Sequence, residues 1–254
     1  MEEERVVVVT GAAGGLGSEI VGLLSNRGVA VLATDLNETA LRETAAKRQS
    51  RGEIVVHQAD ITDRVAVDGL IQAAIDRWGR LDALSNNAAI QGAVGPFLSY
   101  DDDELWRVMQ VNYFSCWLTM KSAIPHMIRF GGGAIVNTGS SLSYRGWKEV
   151  PAYVSAKHAL AGLTKSVAIE HAPDNIRVNL LCPSSMDTPM LAPVATSTGG
   201  GDTELGYKRI RDMIPSGRIA PPPEVANVAV YLLLDAPRHV SGIILPVDAA
   251  ETAG

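Results

Sequence analysis

The sequence predicts an α/β fold: a doubly wound, mostly parallel sheet of seven strands with helices on both faces. Three observations predict it. Seven short apolar runs are rich in β-branched residues, helix-length amphipathic segments lie between them, and a glycine cluster closes the first run. No linker, repeat or low-complexity stretch divides the 254 residues, so 1–254 is expected to be one domain with a core large enough to fold alone.

The first run, Arg5 to Thr10 (RVVVVT), is nearly all β-branched, as suits a strand buried on both faces of a parallel sheet. It ends in TGAAGGLG, after which Ser18 to Asn26 reads as an amphipathic helix with Ile20, Val21, Leu23 and Leu24 on its apolar side. Gly11, Gly15 and Gly17, with Leu16 among them, suit a tight strand-to-helix turn, close approach of a pyrophosphate to the backbone, and anion binding at a helix N-terminus. The second run, Val29 to Thr34, completes a βαβ unit and leads into Asp35 and Leu36. A carboxylate at Asp35 can accept hydrogen bonds from the ribose hydroxyls of an adenine dinucleotide and would repel a 2′-phosphate. No Lys or Arg lies between Thr10 and Asn26, so NAD rather than NADP is the expected cofactor. The competing reading of Asp35 is a cap for the next helix.

Further strand-like runs follow at Ile54 to Gln58, Leu81 to Ser85, Ala134 to Thr138, Arg177 to Leu181 and Gly242 to Pro246. Val65 to Trp78 and Glu104 to Phe130 carry apolar residues at helical spacing. Another helix is expected from Pro151, a residue favoured in the first turn, through an Ala-rich stretch to about Glu170. It places Tyr153 and Lys157 one turn apart on one face, with Ser140 of NTGSS arriving from a neighbouring segment. A phenol, an ammonium and a hydroxyl converging on one point make an acid/base site in outline. A bare YxxxK is a weak signal, and the surrounding motifs give it weight.

Net charge is 22 − 28 = −6, without a basic stripe or interleaved aromatics, so no nucleic-acid partner is expected. Nothing approaches a membrane span, and the acidic leader MEEE runs straight into the first strand, which argues against a presequence. Cys116 and Cys182 lack metal-ligand spacing and read as small buried hydrophobes, and the five histidines are scattered. No metal site is expected, and a reducing cytoplasm is the expected location.

In their order and spacing these motifs resemble the short-chain dehydrogenase/reductase family, in its shorter single-domain, Rossmann-type branch, over nearly the whole chain. TGAAGGLG is similar to the family's cofactor glycine motif, Asp60 and Ile61 of ADITD to its adenine-contacting aspartate segment, and Asn87 and Ala88 of NNAA to its NNAG motif. Asn112 of VMQVNYF falls where the family has a helix asparagine that anchors a catalytic water, and Ser140, Tyr153 and Lys157 match the active-site serine and YxxxK. Pro183, Ser185, Met186 and Thr188 of CPSSMDTPM resemble the segment that holds the nicotinamide amide. Ala89, Tyr144, Ser184, Ala249 and Ala250 stand where the family commonly has glycine, which bears on loop shape and removes no reacting group.

The resemblance implies reversible hydride transfer between a secondary alcohol and NAD. Tyr153 would be the acid/base, its pKa lowered by Lys157, which would also hold the nicotinamide ribose; Ser140 would orient the substrate oxygen and Asn112 would support a water chain. The alternatives are a 3-oxoacyl-carrier-protein reductase-like carbonyl reductase and a non-catalytic dinucleotide-binding protein. Gln91, Leu142, Trp147 and Met190, beside Ile90, Val94, Tyr144, Val150 and Met186, are the candidate substrate pocket, mostly apolar and suited to a cyclic or aryl-substituted alcohol or ketone. Residues 184–220 form the candidate substrate loop, and 196–204, with three glycines, a flexible lid tip. Relatives of this kind suggest a homotetramer, or a homodimer, through Asp103 to Phe130 and Pro151 to His171. Ser115, Cys116, Trp117, Met120, Ala123 and Met127 would supply apolar surface for core and partner.

Overall fold

Each of the seven runs contains or overlaps a strand in the computed structural model, which describes residues 5–253; the acidic leader Met1 to Glu4 and Gly254 lie outside the described residues. The strands are β1 (Val6–Thr10), β2 (Ala30–Thr34), β3 (Ile54–Val56), β4 (Ala83–Asn86), β5 (Gly133–Thr138), β6 (Ile176–Pro183) and β7 (Ile244–Val247). They form one sheet in the order β3-β2-β1-β4-β5-β6-β7, and every pairing is parallel.

The valines of β1 explain how two helical layers are held. All five residues of the strand are buried, and their side chains alternate between faces. Val6 and Val8 pack with Leu70 and Ile71 of α3 (Arg64–Trp78), Met120 of α5 (Ser115–Arg129) and Leu160 of α6 (Pro151–His171). Val7 and Val9 pack on the opposite side with Ile20 and Leu24 of α1 (Gly15–Asn26) and Val230 of α9 (Pro222–Leu234). Each such side chain contributes about 1.5–3 kcal/mol of burial, so an aspartate at Val8 would open both the sheet and one helical layer.

Two helices show little helical period in the sequence for physical reasons. α2 (Glu38–Arg48) buries only Leu41 and Thr44, which leaves little apolar periodicity to detect. In α9 nearly every side chain is apolar, so no period stands out. The long helix expected at Glu104 to Phe130 is α4 (Asp102–Met109) followed by a π turn at Gln110–Phe114 and then α5. Its outer face differs from the expectation: Ser115, Cys116, Met120, Ala123 and Met127 are buried within this chain's own core, while Trp106, Phe114 and Trp117, with Ile169 of α6, are exposed. The segment 196–204 is the turn of a helical hairpin, α7 (Ala192–Thr198) and α8 (Thr203–Met213). Leu191, Ala195, Ile210 and Ile214 give the hairpin a small apolar cluster of its own. Gly199 serves close packing, since a Cβ there would lie 1.7 Å from the Asp202 carbonyl oxygen, while Gly200 at φ +69° and Gly201 at φ +103° have open space around them and serve the left-handed turn.

Strand order reverses between β1 and β4, and the crevice beyond the carboxyl ends of these strands is where the candidate residues converge.

Candidate active site

Thr10 ends β1 and ties it to β4, its Oγ1 accepting from the backbone N–H of Asn87 at 3.0 Å and of Ala88 at 3.2 Å. Gly11 then turns the chain at φ +63°, where a Cβ would lie 2.6 Å from Ala88 Cα. Gly15 allows similarly close approach of Thr188, whose Cγ2 would be 2.7 Å from an added Cβ. Gly17 serves the tight turn among the expected tasks: a Cβ added there would lie 2.1 Å from Gly11 O, so it packs the helix on the turn and does not line the cleft. Gly14 caps α1 without a side chain, which leaves first-turn N–H groups open to an anion in the cleft.

At the outer end of the cleft the Asp35 carboxylate accepts from the N–H of Ala13 and of Asn37, both at 3.1 Å. Asn37, not Asp35, caps α2, accepting from Ala40 N–H at 3.1 Å. Leu36 lies exposed beside them, and Asp60 is held by Thr62 N–H and Oγ1 at 2.9 and 2.7 Å, next to Ile61. From here a cleft of about 550 Å³ runs past Leu16, Asn87 and Ala88 to Tyr153, Lys157, Pro183, Met186 and Thr188. Its shape and chemistry fit an extended dinucleotide: a carboxylate where a ribose would bind, backbone donors midway, and the phenol and ammonium at the far end.

Tyr153 is 9% exposed and Lys157 1%, both on the inner face of α6. Lys157 Nζ donates to the Thr138 carbonyl at 2.6 Å and lies 5.5 Å from the Tyr153 ring centroid. Burial dominates both groups. It pushes the Tyr153 phenol up to about 12, against the lowering expected from Lys157, with a hydrogen bond to Ser140 the opposing influence. It also draws the Lys157 ammonium down to about 8. Ser140 caps a 3-10 turn at Ser141–Ser143, its Oγ accepting from Leu142 N–H at 3.1 Å, so the hydroxyl is held at the site.

Asn112, in the π turn, is fully buried and clamps one residue: its Oδ1 accepts from Ile90 N–H and its Nδ2 donates to Ile90 O, both at 2.8 Å. Beneath the site, Asn86 Nδ2 donates to Asn137 Oδ1 at 2.9 Å, Thr119 Oγ1 to Asn86 Oδ1 at 2.8 Å, and Asn137 Nδ2 to Thr164 Oγ1 at 3.0 Å. This buried network joins β4, β5, α5 and α6 and was invisible in the sequence, where its members look like ordinary polar residues.

A second cavity, about 120 Å³, adjoins the cleft, and Ser140 and Tyr153 border both. Gln91, Leu142, Trp147, Met190 and Val150 line it as expected. Ser185 faces this cavity and not the long cleft. Tyr144 and Val94 are outside it; Tyr144 Oη instead donates to Ile244 O of β7 at 2.6 Å, and Ile90 borders the long cleft. Val194, Ile210 and Met213 of the α7–α8 hairpin close one wall. Arg145 and Glu251 also line the cavity, and the sequence reading missed both. The signal available was a lone arginine between Ser140 and Tyr153.

Cys116 and Cys182 are buried free thiols, as expected.

The sheet, the glycine turn and the paired cavities define a dinucleotide-binding oxidoreductase. A family model described as enoyl-(acyl carrier protein) reductase matches residues 11–250. The chain is 36% identical over 250 residues to cis-4-hydroxycyclohexanecarboxylate dehydrogenase of Sinomonas cyclohexanicum, covering 98% of this chain and 97% of that protein. Among solved structures it resembles levodione reductase with a TM-score of 0.95 at 29% identity, covering 98% of both chains. It also resembles an NAD+-bound xylitol dehydrogenase with a TM-score of 0.93 at 29% identity, covering 98% of this chain and 100% of that one. The chain belongs to the short-chain dehydrogenase/reductase family.

Proposed function

We propose that the protein is an NAD-dependent dehydrogenase that converts a small secondary alcohol reversibly to its ketone, with Tyr153 as the acid/base. The observation that carries this reading is the position of Tyr153 and Ser140 on the border between the long cleft and the small cavity, with Lys157 behind them. NAD over NADP is supported by Asp35 at the ribose end; among the described residues the cations lining the cleft are Lys157, at the opposite end, and Arg107, paired with Glu104 at 2.6 Å. The similar xylitol dehydrogenase was solved with NAD+, and the curated relative is named for a hydroxylated cyclohexane, which favours a cyclic alcohol.

When bound, nicotinamide supplies the hydride acceptor for oxidation and the hydride donor for reduction. Ser140 Oγ orients the substrate oxygen, and Tyr153 Oη takes the hydroxyl proton as the carbinol hydrogen leaves with its electron pair. The Ser140 hydrogen bond favours phenolate against burial, and the Lys157 charge, 5.5 Å from the ring centroid, acts in the same direction. The Asn112 amide is committed to Ile90, so a water on the proton path would be held by the Asn112 backbone carbonyl. In the reverse direction Tyr153 returns the proton to the carbonyl. We further place the protein in the cytoplasm as a single-domain homotetramer, supported by its buried free thiols and by the exposed Trp106, Phe114, Trp117 and Ile169. The α7–α8 hairpin is its lid, joined to the loop before α6 by Ser197 Oγ donating to Glu149 Oε2 at 2.6 Å.

The test is a panel of cyclic and open-chain secondary alcohols assayed with NAD and with NADP. Reduction of NAD by at least one cyclic alcohol, lost in Tyr153→Phe, is the expected result. No turnover with any alcohol or ketone would overturn the reading, and faster turnover with NADP would overturn its cofactor.

A further inference from the structure

Trp147 and Met213 line two spaces at once. One is the small cavity that Ser140 and Tyr153 border; the other is an outer groove of about 400 Å³ between the loop before α6 and the α7–α8 hairpin. The cavity holds about 120 Å³, well under the roughly 300 Å³ at which sites enclose drug-sized molecules. A substrate much larger than one small ring must therefore extend through its wall. The two side chains shared with the groove differ in freedom. Trp147 is half-buried and has the Arg145 guanidinium carbon 5.5 Å from its ring centroid, which holds it in place. Met213 is 42% exposed and unbranched, a side chain that turns aside at little cost.

The groove carries charge that the cavity lacks. Lys148 and Arg209 line it, and both are exposed, so their cationic groups are open to a ligand there. Arg209 Nη1 donates to the Thr198 carbonyl at 2.7 Å, which leaves its other N–H groups open, and among the described residues neither cation has an acidic partner. Asp212, the carboxylate that lines the groove, is taken by Lys208 at 2.8 Å. Glu149, next to Lys148 in the chain, accepts from Ser197 Oγ at 2.6 Å and does not line the groove. Two unmatched positive charges thus share one groove on a chain whose net charge is −6. In the cavity, by contrast, Arg145 is paired with Glu251.

An anion in the cavity would lose its water beside Glu251 and gain no free cation, whereas in the groove it keeps part of its water and meets two. We propose that the groove is the outer half of the substrate site: the reacting carbon sits by Tyr153, an apolar arm passes Trp147 and Met213, and an anionic end group, a carboxylate or a phosphate monoester, is held by Lys148 and Arg209. This rests on the dehydrogenase reading above. It adds the substrate class, a secondary alcohol or ketone with an anionic arm.

The experiment compares kcat/KM with NAD for 4-hydroxycyclohexanecarboxylate, 4-hydroxycyclohexylacetate and 4-(4-hydroxycyclohexyl)butanoate, each beside its methyl ester, in the wild type, Lys148→Gln, Arg209→Gln, the double variant and Arg209→Lys. The preference for acid over ester should grow with the arm and reach about fivefold or more at low salt, the scale of two exposed ion pairs. It should fade toward one near 1 M salt, where the screening length is about 3 Å. Each Gln variant should lose part of the preference and the double variant all of it, while Arg209→Lys, which keeps the charge, should retain it. A phosphate monoester on the longest arm, run beside the acid, identifies which anion the groove suits better, and a preference for either over the neutral ester supports the site. Equal use of acids and esters, a preference indifferent to salt, one that survives in the double variant, or a parallel loss on acid and ester would overturn the proposal. Titration calorimetry of the longest acid and its ester into NAD-saturated Tyr153→Phe reads binding without turnover. Tighter binding of the acid there, with no turnover of any alcohol in the wild type, would sink the dehydrogenase reading and leave the anion site standing; equal binding would overturn the site itself.

Discussion

The Lys157 ammonium donates to the Thr138 carbonyl at 2.6 Å, while the ring of Tyr153 one turn earlier lies 5.5 Å from the same nitrogen. A nearly fully buried cation is thus held by the end of β5, and burial draws it down to about 8 from its ordinary 10.5. Between about 8 and 10.5 the folded chain has released this proton while the unfolded chain still holds it, so stability rises with pH across that window. Lys157→Met should therefore stabilise the cofactor-free protein below pH 8, by up to about 3 kcal/mol less about 1 kcal/mol for the lost hydrogen bond. The gain should shrink as pH rises to 10.5. Urea unfolding at several pH values measures it, and a gain independent of pH would contradict the assignment.

Tyr153→Phe removes the hydroxyl and nothing else, in a side chain already packed. Alcohol turnover should fall by about a thousandfold or more, in the range of general acid/base contributions, while NAD affinity stays within a few fold. In the wild type, oxidation requires phenolate and burial holds the phenol near 12, so oxidation rates should climb with pH through the neutral and alkaline range. Reduction requires the phenol and should not climb. Steady-state rates in both directions across pH check the sign.

Asp35 presents its carboxylate where an adenosine ribose would lie and is fixed there by two backbone N–H groups. Asp35→Ser should shift the NAD/NADP ratio of kcat/KM toward NADP by about tenfold or more, the scale of one removed charge repulsion. An unchanged ratio would show that discrimination resides elsewhere in the cleft.

Asn112→Ala strips Ile90 of a donor and an acceptor at once. With two backbone groups left unpaired in a buried place, the loss should be about 2–5 kcal/mol by denaturant unfolding. Asn112→Asp, which buries a carboxylate and sets its second oxygen against the Ile90 carbonyl, should recover none of that stability.

If the α7–α8 hairpin is a lid, proteolysis near Gly200, at the tip of its turn, should slow when NAD and a substrate alcohol are added together. Cleavage at an unchanged rate would count against it.

The legible parts of this protein share a cause. Val6 to Val9, the turn of Gly11 and Gly15, and the Tyr153–Lys157 spacing are each required within a few residues of chain, so period, glycine and turn chemistry expose them. α2 and α9 show little helical period because one buries too little and the other too much. Which of the expected tasks each glycine takes is set by packing: Gly17 lies against Gly11, and Gly15 against Thr188. Tyr144 was placed in the pocket from its position after Ser140, yet its hydroxyl is taken by β7, a hundred residues away.

The sequence by itself determined the α/β class, the seven strands, the glycine turn and the spacing of Tyr153 and Lys157, because backbone conformation and helical spacing are local properties written in residue type. Only the tertiary structure decided which polar groups are satisfied and which are left over. Asn112 became a clamp on Ile90, Asn86 and Asn137 a buried junction of two strands and two helices, and the Tyr153 phenol a raised rather than a lowered acid. It also brought Arg145 and Glu251, 106 residues apart, into one cavity wall. Burial and hydrogen-bond balance depend on every element that surrounds a group, and those elements come from distant parts of the chain.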